Sequence, residues 1–204
     1  MKKIIAFCIA FLATVACIAA DDALLASIKK ANSTEKYSCP FTQAKYMKMM
    51  AKPIESAGTV YLQGADNMSM IYSKPEGDLL VIAEGQFIMV NKGKTRKHNV
   101  KEGSQMRTLR NTLLLSMRGD VNGIAEETNS TVSRTSSATT DDFEISRREQ
   151  VKIGYDKIKL SFDKNTHLLT EMIMEEPNGN YTVYKLGKYD FSGSFGNDVF
   201  NLPK

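Results

Sequence analysis

Leu79-Leu80-Val81-Ile82-Ala83-Glu84-Gly85-Gln86-Phe87-Ile88-Met89-Val90-Asn91-Lys92-Gly93-Lys94 shows the architecture of this chain most plainly. Two short apolar runs, Leu79–Ala83 and Phe87–Asn91, flank Glu84-Gly85-Gln86, and Lys92-Gly93-Lys94 leads to a third over Thr95–Val100. Parallel pairing needs a crossover of about a dozen residues or more, so runs this close, joined by glycine turns, pair as antiparallel hairpins. Upstream, the Lys74-Pro75-Glu76-Gly77 turn follows Met68–Tyr72, in which Met68, Met70 and Tyr72 share one face. Ala57–Leu62 and Tyr37–Tyr46 extend the same meander toward the N-terminus.

Downstream the period changes. Leu109, Leu113 and Met117 recur every four residues, with Met106 one turn earlier and Leu114 beside them. That spacing predicts an amphipathic helix over 106–118. Thr128–Asp142, rich in Ser and Thr, reads as a loop or as poorly packed edge strands. Strands resume over Phe143–Arg148 and Ile153–Phe162, turn at Asp163-Lys164-Asn165-Thr166, and continue over His167–Glu175. Asn178-Gly179 marks a two-residue hairpin, since both residues tolerate positive φ, and Tyr181–Tyr189 is the return strand. A leading helix is expected from Asp21 or Asp22 to Lys30, with Leu24, Leu25 and Ile28 on one stripe. Helices at two places among about ten strands predict a strongly curved antiparallel sheet with the helices over its concave side.

Residues 1–20 (MKKIIAFCIAFLATVACIAA) have a basic start, an apolar run too short to span a bilayer and small residues at the end. That is the build of a secretory signal peptide, which leaves 21–204 as a single domain. Thr14-Val15-Ala16-Cys17 resembles a bacterial lipobox, but Thr14 replaces the usual leucine, and cleavage near Ala19 or Ala20 is expected. Without Lys2 and Lys3 the domain has 25 basic and 23 acidic residues, a net +2. So small a surplus gives no basis for nucleic-acid binding, which needs a basic face to displace phosphate counterions. The basic run Lys94, Arg96, Lys97 and His98 reads as a solvated strand or turn. Cys39, the one cysteine left in the domain, shares parity with Tyr37 and Phe41 and is expected on a buried face.

The catalytic and metal signatures are missing. His98 and His167 are isolated, and a single cysteine adds little to a ligand set. Gly193-Ser194-Phe195-Gly196 lacks the spacing of a nucleophile elbow, and the chain has no phosphate-binding loop. Asp141-Asp142 and Glu175-Glu176 point to opposite strand faces and cannot form a dyad. The expectation is therefore no enzyme and no cofactor. What the domain holds instead is methionine, at 47, 49, 50, 68, 70, 89, 106, 117, 172 and 174. Unbranched, polarizable side chains of this kind suit an apolar cavity of changing shape.

Several blocks resemble the periplasmic outer-membrane lipoprotein carriers, the LolA-like family, across nearly all of the domain. They are Phe41-Thr42-Gln43, Gly58-Thr59-Val60-Tyr61-Leu62, Met70-Ile71-Tyr72 before Lys74-Pro75, and the Leu80–Val90 hairpin. Leu160-Ser161-Phe162-Asp163, Glu176–Thr182 and Asp198-Val199-Phe200 are similar to the late strands and the close. The resemblance implies a mainly β fold with α: a curved, incomplete antiparallel β-barrel covered by a helical lid.

It further implies a periplasmic carrier that binds acyl chains of lipoproteins and shuttles them from inner to outer membrane. The partners would be an inner-membrane transporter and an outer-membrane acceptor, with the carrier a monomer. The implied cavity lining is Phe41, Val60, Leu62, Met68, Met70, Tyr72, Leu80, Ile82, Phe87 and Met89, with Leu109, Leu113 and Met117 on the lid. Other readings on the same fold are a carrier of another lipid or glycolipid, a lipid-anchored acceptor, or an envelope sensor. Two features depart from the family. Gln63-Gly64-Ala65-Asp66-Asn67 stands where its carriers have a lid-latching arginine, and the chain ends at Leu202-Pro203-Lys204 without the extension of some carriers. The turn Pro75-Glu76-Gly77-Asp78 is polar, where the acceptors expose a leucine, which favours the soluble carrier.

Overall fold

A computed structural model describes residues 21–98, 100 and 104–201. The leader expected over 1–20, with Cys17, and the closing Leu202-Pro203-Lys204 lie outside the described residues. Helix α1 (residues 21–32) comes first. Six strands follow: β1 (Lys36–Tyr46), β2 (Ile54–Gln63), β3 (Asn67–Lys74), β4 (Glu76–Ala83), β5 (Gln86–Asn91) and β6 (Lys94–His98). Then come α2 (Gln105–Met117), α3 (Val121–Thr128), β7 (Ser130–Ser136), β8 (Thr140–Arg147), β9 (Lys157–Asp163), β10 (Leu169–Glu175) and β11 (Tyr181–Leu186). A 3₁₀ turn, Asn197–Phe200, stands near the end.

All the strands form one antiparallel sheet in the order β6-β5-β4-β3-β2-β1-β11-β10-β9-β8-β7. The sheet does not close into a barrel: β6 and β7 are its two edges. The chain meanders from β1 out to β6, crosses to β7 at the opposite edge, and meanders back to β11. There β11 pairs with β1 in a register running from Phe41↔Leu186 to Tyr46↔Tyr181. The crossing is made by α2 and α3, and its route explains why they cover the concave face.

That face carries the larger core. Tyr37, Cys39 and Phe41 of β1, Val60 and Leu62 of β2, and Met68 and Met70 of β3 are buried there. They meet Leu80, Ile82, Phe87, Phe143, Ile145, Ile158, Leu160, Phe162, Leu169, Met172 and Met174 from other strands, and Leu113, Leu114, Met117, Val121 and Ile124 from the helices. Each such side chain, withdrawn from water, contributes roughly 1.5–3 kcal/mol. A second, smaller core lies on the opposite face, where Val81, Ala83 and Phe200 are buried with Tyr61, Leu79, Phe195 and Val199 against them. β4 is therefore apolar on both sides because the C-terminal segment covers its outer one. Lys36 holds that segment, donating from Nζ to the Phe195 carbonyl at 2.6 Å and lying 4.3 Å over its ring.

Two local features differ from expectation, and a third decides between alternatives. α3 was not foreseen: it is short, has Gly123 inside, and fully buries only Val121, Ile124 and Thr128. Asp120 caps it, accepting from the Gly123 N–H at 3.1 Å. The Ser/Thr-rich stretch takes the second of its two expected forms, as the edge strand β7, exposed beyond Ser130. The strand expected from Ile153 begins only at Lys157, because Gly154 turns the chain with φ +95°.

Two glycines are required by close approach. A Cβ on Gly58 would lie 2.2 Å from the Ile71 carbonyl oxygen, where β2 and β3 shift register. Gly119, with φ +63°, links α2 to α3, and a Cβ there would sit 2.8 Å from the Ile28 side chain.

Asn32 fastens α1 to the sheet from a fully buried position. Its Nδ2 donates to the Ile28 carbonyl at 2.8 Å and the His167 carbonyl at 2.7 Å, while its Oδ1 accepts from the Leu169 N–H at 3.1 Å. Asn32→Ala strands those backbone groups, and should lower stability by about 1–3 kcal/mol. The measurement is chemical denaturation; a midpoint equal to the unmodified protein's would show that the network is dispensable.

Candidate functional site

Helix α2 lies over the concave face and is held firmly at one end. At its start, the Ser104 hydroxyl accepts from the Arg107 N–H at 3.2 Å. At its finish, the Tyr37 hydroxyl donates to the Met117 carbonyl at 2.8 Å, and the Arg118 Nε donates to the Ala65 carbonyl at 3.2 Å. Arg110 lies 3.9 Å from Asp66 on the same β2–β3 turn, too exposed a pair to contribute much. Burial pulls the Arg118 guanidinium below its ordinary pKa, against the opposing influence of Tyr37 and Asp66. The β2–β3 turn thus meets arginines carried by α2, where the sequence suggested a missing contact.

The other end of α2 borders a cavity of about 540 Å³, inside the range usual for small-ligand sites. One wall is the helix itself, through Gln105, Met106, Thr108, Leu109 and Thr112, with Thr128 of α3. The facing wall is the β8–β9 connection, Val151 to Tyr155, with Arg147, Ile158 and Glu176. Arg147 fixes this wall, donating from Nε to the Tyr155 carbonyl at 2.8 Å and from Nη1 to the Thr128 carbonyl at 3.1 Å. Burial first, and then the Glu176 charge, pushes the Tyr155 phenol up to about 12. Tyr155 presents a neutral ring to the cavity at neutral pH.

The expected lining residues fall into three groups. Leu109 lines this cavity. Tyr72 and Met89 pack half-buried at the margin of the main core. Phe41, Val60, Leu62, Met68, Met70, Leu80, Ile82, Phe87, Leu113 and Met117 interdigitate as buried core. The Met-rich face is thus filled by the chain's own side chains, and the open space lies beside it, toward β9. Thr108, Thr112, Thr128 and Val151–Tyr155 were not foreseen. Threonines carry no apolar pattern, and the loop read as the start of a strand.

Reactive chemistry has little to build on. Burial pushes the Cys39 thiol up to about 12, so it is a small buried hydrophobe at neutral pH. Tyr72 donates its hydroxyl to Gln43 Oε1 at 2.8 Å, and burial raises its pKa, as it does for Tyr184. Among the described residues no three His, Cys, Asp or Glu side chains converge to hold a metal, and no helix is long and apolar enough to cross a membrane.

An open antiparallel sheet, roofed by helices over an apolar recess, defines the class by architecture. The family model of the outer membrane lipoprotein carrier protein LolA matches residues 32–203, and the chain belongs to that family. No curated protein matches it by sequence. Among solved structures, MucB is similar with a TM-score of 0.53 and 11% identity over 91% of this chain and 63% of MucB. An uncharacterized conserved protein from Thermus thermophilus gives 0.52 and 10% over 91% and 95% of the two chains. A LolA superfamily protein from Nitrosomonas europaea gives 0.45 and 9% over 89% and 97%. At such identities the likeness of the first two is one of fold.

Because Tyr37 anchors α2 through one hydroxyl, Tyr37→Phe isolates that contact. It leaves the Met117 carbonyl short of its donor, at a cost of roughly 1–3 kcal/mol. Amide hydrogen exchange should quicken over 114–118 and stay unchanged in β1 and β11. Uniform quickening throughout the sheet would place the effect in the core instead.

Proposed function

We propose that the protein is an exported periplasmic carrier that takes the acyl chains of lipoproteins into the space beneath α2 and shuttles them from inner to outer membrane. The observation that carries this reading is the cavity between α2 and the β8–β9 connection in a member of the lipoprotein carrier family. Acyl cargo suits such a site. Each buried methylene contributes about 0.8 kcal/mol, so one long chain binds strongly with little polar recognition.

α2 acts as the lid. Its C-terminal end is fastened by Tyr37 and Arg118, so opening lifts the N-terminal half, where Met106 and Leu109 meet the cavity. As the helix lifts, the contacts of Leu113 with the methionine-rich face loosen, and the cavity extends toward Met68, Met70, Tyr72, Phe87 and Met89. Flexible thioethers repack around a chain at small cost. The cargo would come from an inner-membrane transporter and pass to an outer-membrane acceptor.

The test is binding of a fluorescent, fatty-acylated peptide to the purified domain. Unmodified protein should bind at micromolar concentration. Leu109→Trp, which fills the cavity, should weaken binding by about tenfold or more, equivalent to 1.4 kcal/mol, with an unaltered melting temperature. Leu113→Asp puts a charge into the closed contact, disfavouring closure and binding together. Equal affinity in folded Leu109→Trp would move the binding site elsewhere, and no acyl binding by the unmodified protein would leave the sensor reading ahead.

A further inference from the structure

We infer that the end of the sheet beside the cavity mouth is a docking surface for a lipid bilayer carrying anionic headgroups. The β1–β2 loop, the β10–β11 turn and the β8–β9 connection all lie at this end, as the strand registers require. Lys45 pairs with Ile54 across β1 and β2, Tyr46 with Tyr181, and Glu175 with both Tyr181 and Lys157. Six residues of the cavity wall, Val151 to Tyr155 and Glu176, belong to the same end.

The β1–β2 loop is built against the usual rule for loops. Its tip presents Met49 97% exposed and Met50 48% exposed, with Ile54 at 46% where β2 begins and Ile153 at 67% on the neighbouring connection. The chain places apolar side chains here and leaves all four substantially exposed. The loop is nonetheless ordered by hydrogen bonds: the Met50 N–H donates to the Met47 carbonyl at 2.9 Å, and the Lys48 N–H to Asn180 Oδ1 at 3.1 Å. At its foot the rings of Tyr46 and Tyr181 stack, centroids 4.5 Å apart and 12° from parallel. Exposed methionines above a tyrosine pair match the layering of a bilayer interface, with thioethers in the acyl region and phenol rings at the headgroups.

Charge selects the occupant. Residues 47–53 contain Lys48 and Lys52 and no acidic residue, while the nearby Glu176 is occupied by Lys45 at 3.7 Å. Long lysine stems lie along apolar surface and keep their ammonium groups at the level of phosphates. An apolar protein patch would take the methionines but leave these charges unanswered. An anionic bilayer takes both, and it brings the cavity mouth to the surface from which an acyl chain must enter or leave.

The chain has no tryptophan, so Met49→Trp reports on this site alone. The experiment is sedimentation of the residue 21–204 protein with vesicles of phosphatidylglycerol and phosphatidylethanolamine, beside vesicles of phosphatidylcholine. Binding should favour the anionic vesicles and fall with salt. Met49→Trp emission should shift to the blue on binding, and brominated lipid should quench it. Met49→Asp/Met50→Asp should bind at least about tenfold more weakly, and Lys48→Glu/Lys52→Glu should abolish the preference for anionic vesicles.

Acyl-peptide affinity in solution should stay unchanged in both variants, which separates this inference from the carrier reading. Absence of vesicle binding would overturn it, as would binding with unshifted Met49→Trp emission. Concentration-dependent dimers lost in Met49→Asp/Met50→Asp would assign the tip to a second copy and overturn it equally.

Discussion

Six residue pairs between β1 and β11 hold this protein together. Each flanking meander is local, every strand pairing with its sequence neighbour, and could form without knowledge of the other. Only the β1–β11 ladder makes them one sheet. It joins residues 41–46 to 181–186, so its loop-closure cost is met before any of its contacts form. The helices follow from that constraint. A chain that leaves the sheet at β6 and re-enters at β7 must cross the whole concave face, and an amphipathic segment is the crossing that also buries apolar surface. The roof over the cavity is therefore a consequence of sheet order.

Most of the sheet was legible because antiparallel strands with one buried face alternate, and Met68, Met70 and Tyr72 or Ile158, Leu160 and Phe162 show the alternation plainly. The signal fails where its physical basis fails. β4 has two covered faces, so Leu80-Val81-Ile82-Ala83 reads as a run. What covers its outer side, Phe195 to Phe200, lies more than a hundred residues away in sequence. α3 is too short for a period to emerge. Of the residues expected to line a cavity, Leu109 is the one that borders the open space in the closed structure. Hydrophobic pattern marks which side chains leave water; it does not say whether they meet one another or an empty space. The methionine-rich face meets α2 and is filled, whereas the gap falls where threonines and a glycine-bent connection form the walls.

The roof is tied to the sheet at a definite place. Tyr37, Arg118 and the Gly119 link hold the C-terminal end of α2 against β1, the β2–β3 turn and α1. The N-terminal end is capped by Ser104 and meets the cavity through Met106 and Leu109. Packed interiors respond to a guest by shifting whole elements, because side chains at close-packed density have nowhere to yield. On the carrier reading proposed above, the displacement of α2 would turn about its C-terminal end, over a core in which the flexible thioethers of Met68, Met70 and Met117 stand among branched and aromatic side chains.

An open sheet keeps two rows of unpaired backbone groups, and in this protein the rows are dressed differently. β6 offers Lys94-Thr95-Arg96-Lys97, almost wholly in solvent. β7 offers Ser and Thr, and its one cation, Arg134, is turned onto Asp141 at 2.8 Å and onto Asp21 of α1. A β6 edge meeting another β6 edge would crowd like charges together. A β6 edge meeting a β7 edge would strip water from lysine and arginine with no acid opposite, and that head-to-tail contact would repeat without closing. The cationic margin thus makes every junction that includes β6 unfavourable, and two β7 edges meeting alone would stop at a pair. The sheet can stay unclosed without turning the molecule into the repeating unit of a fibre.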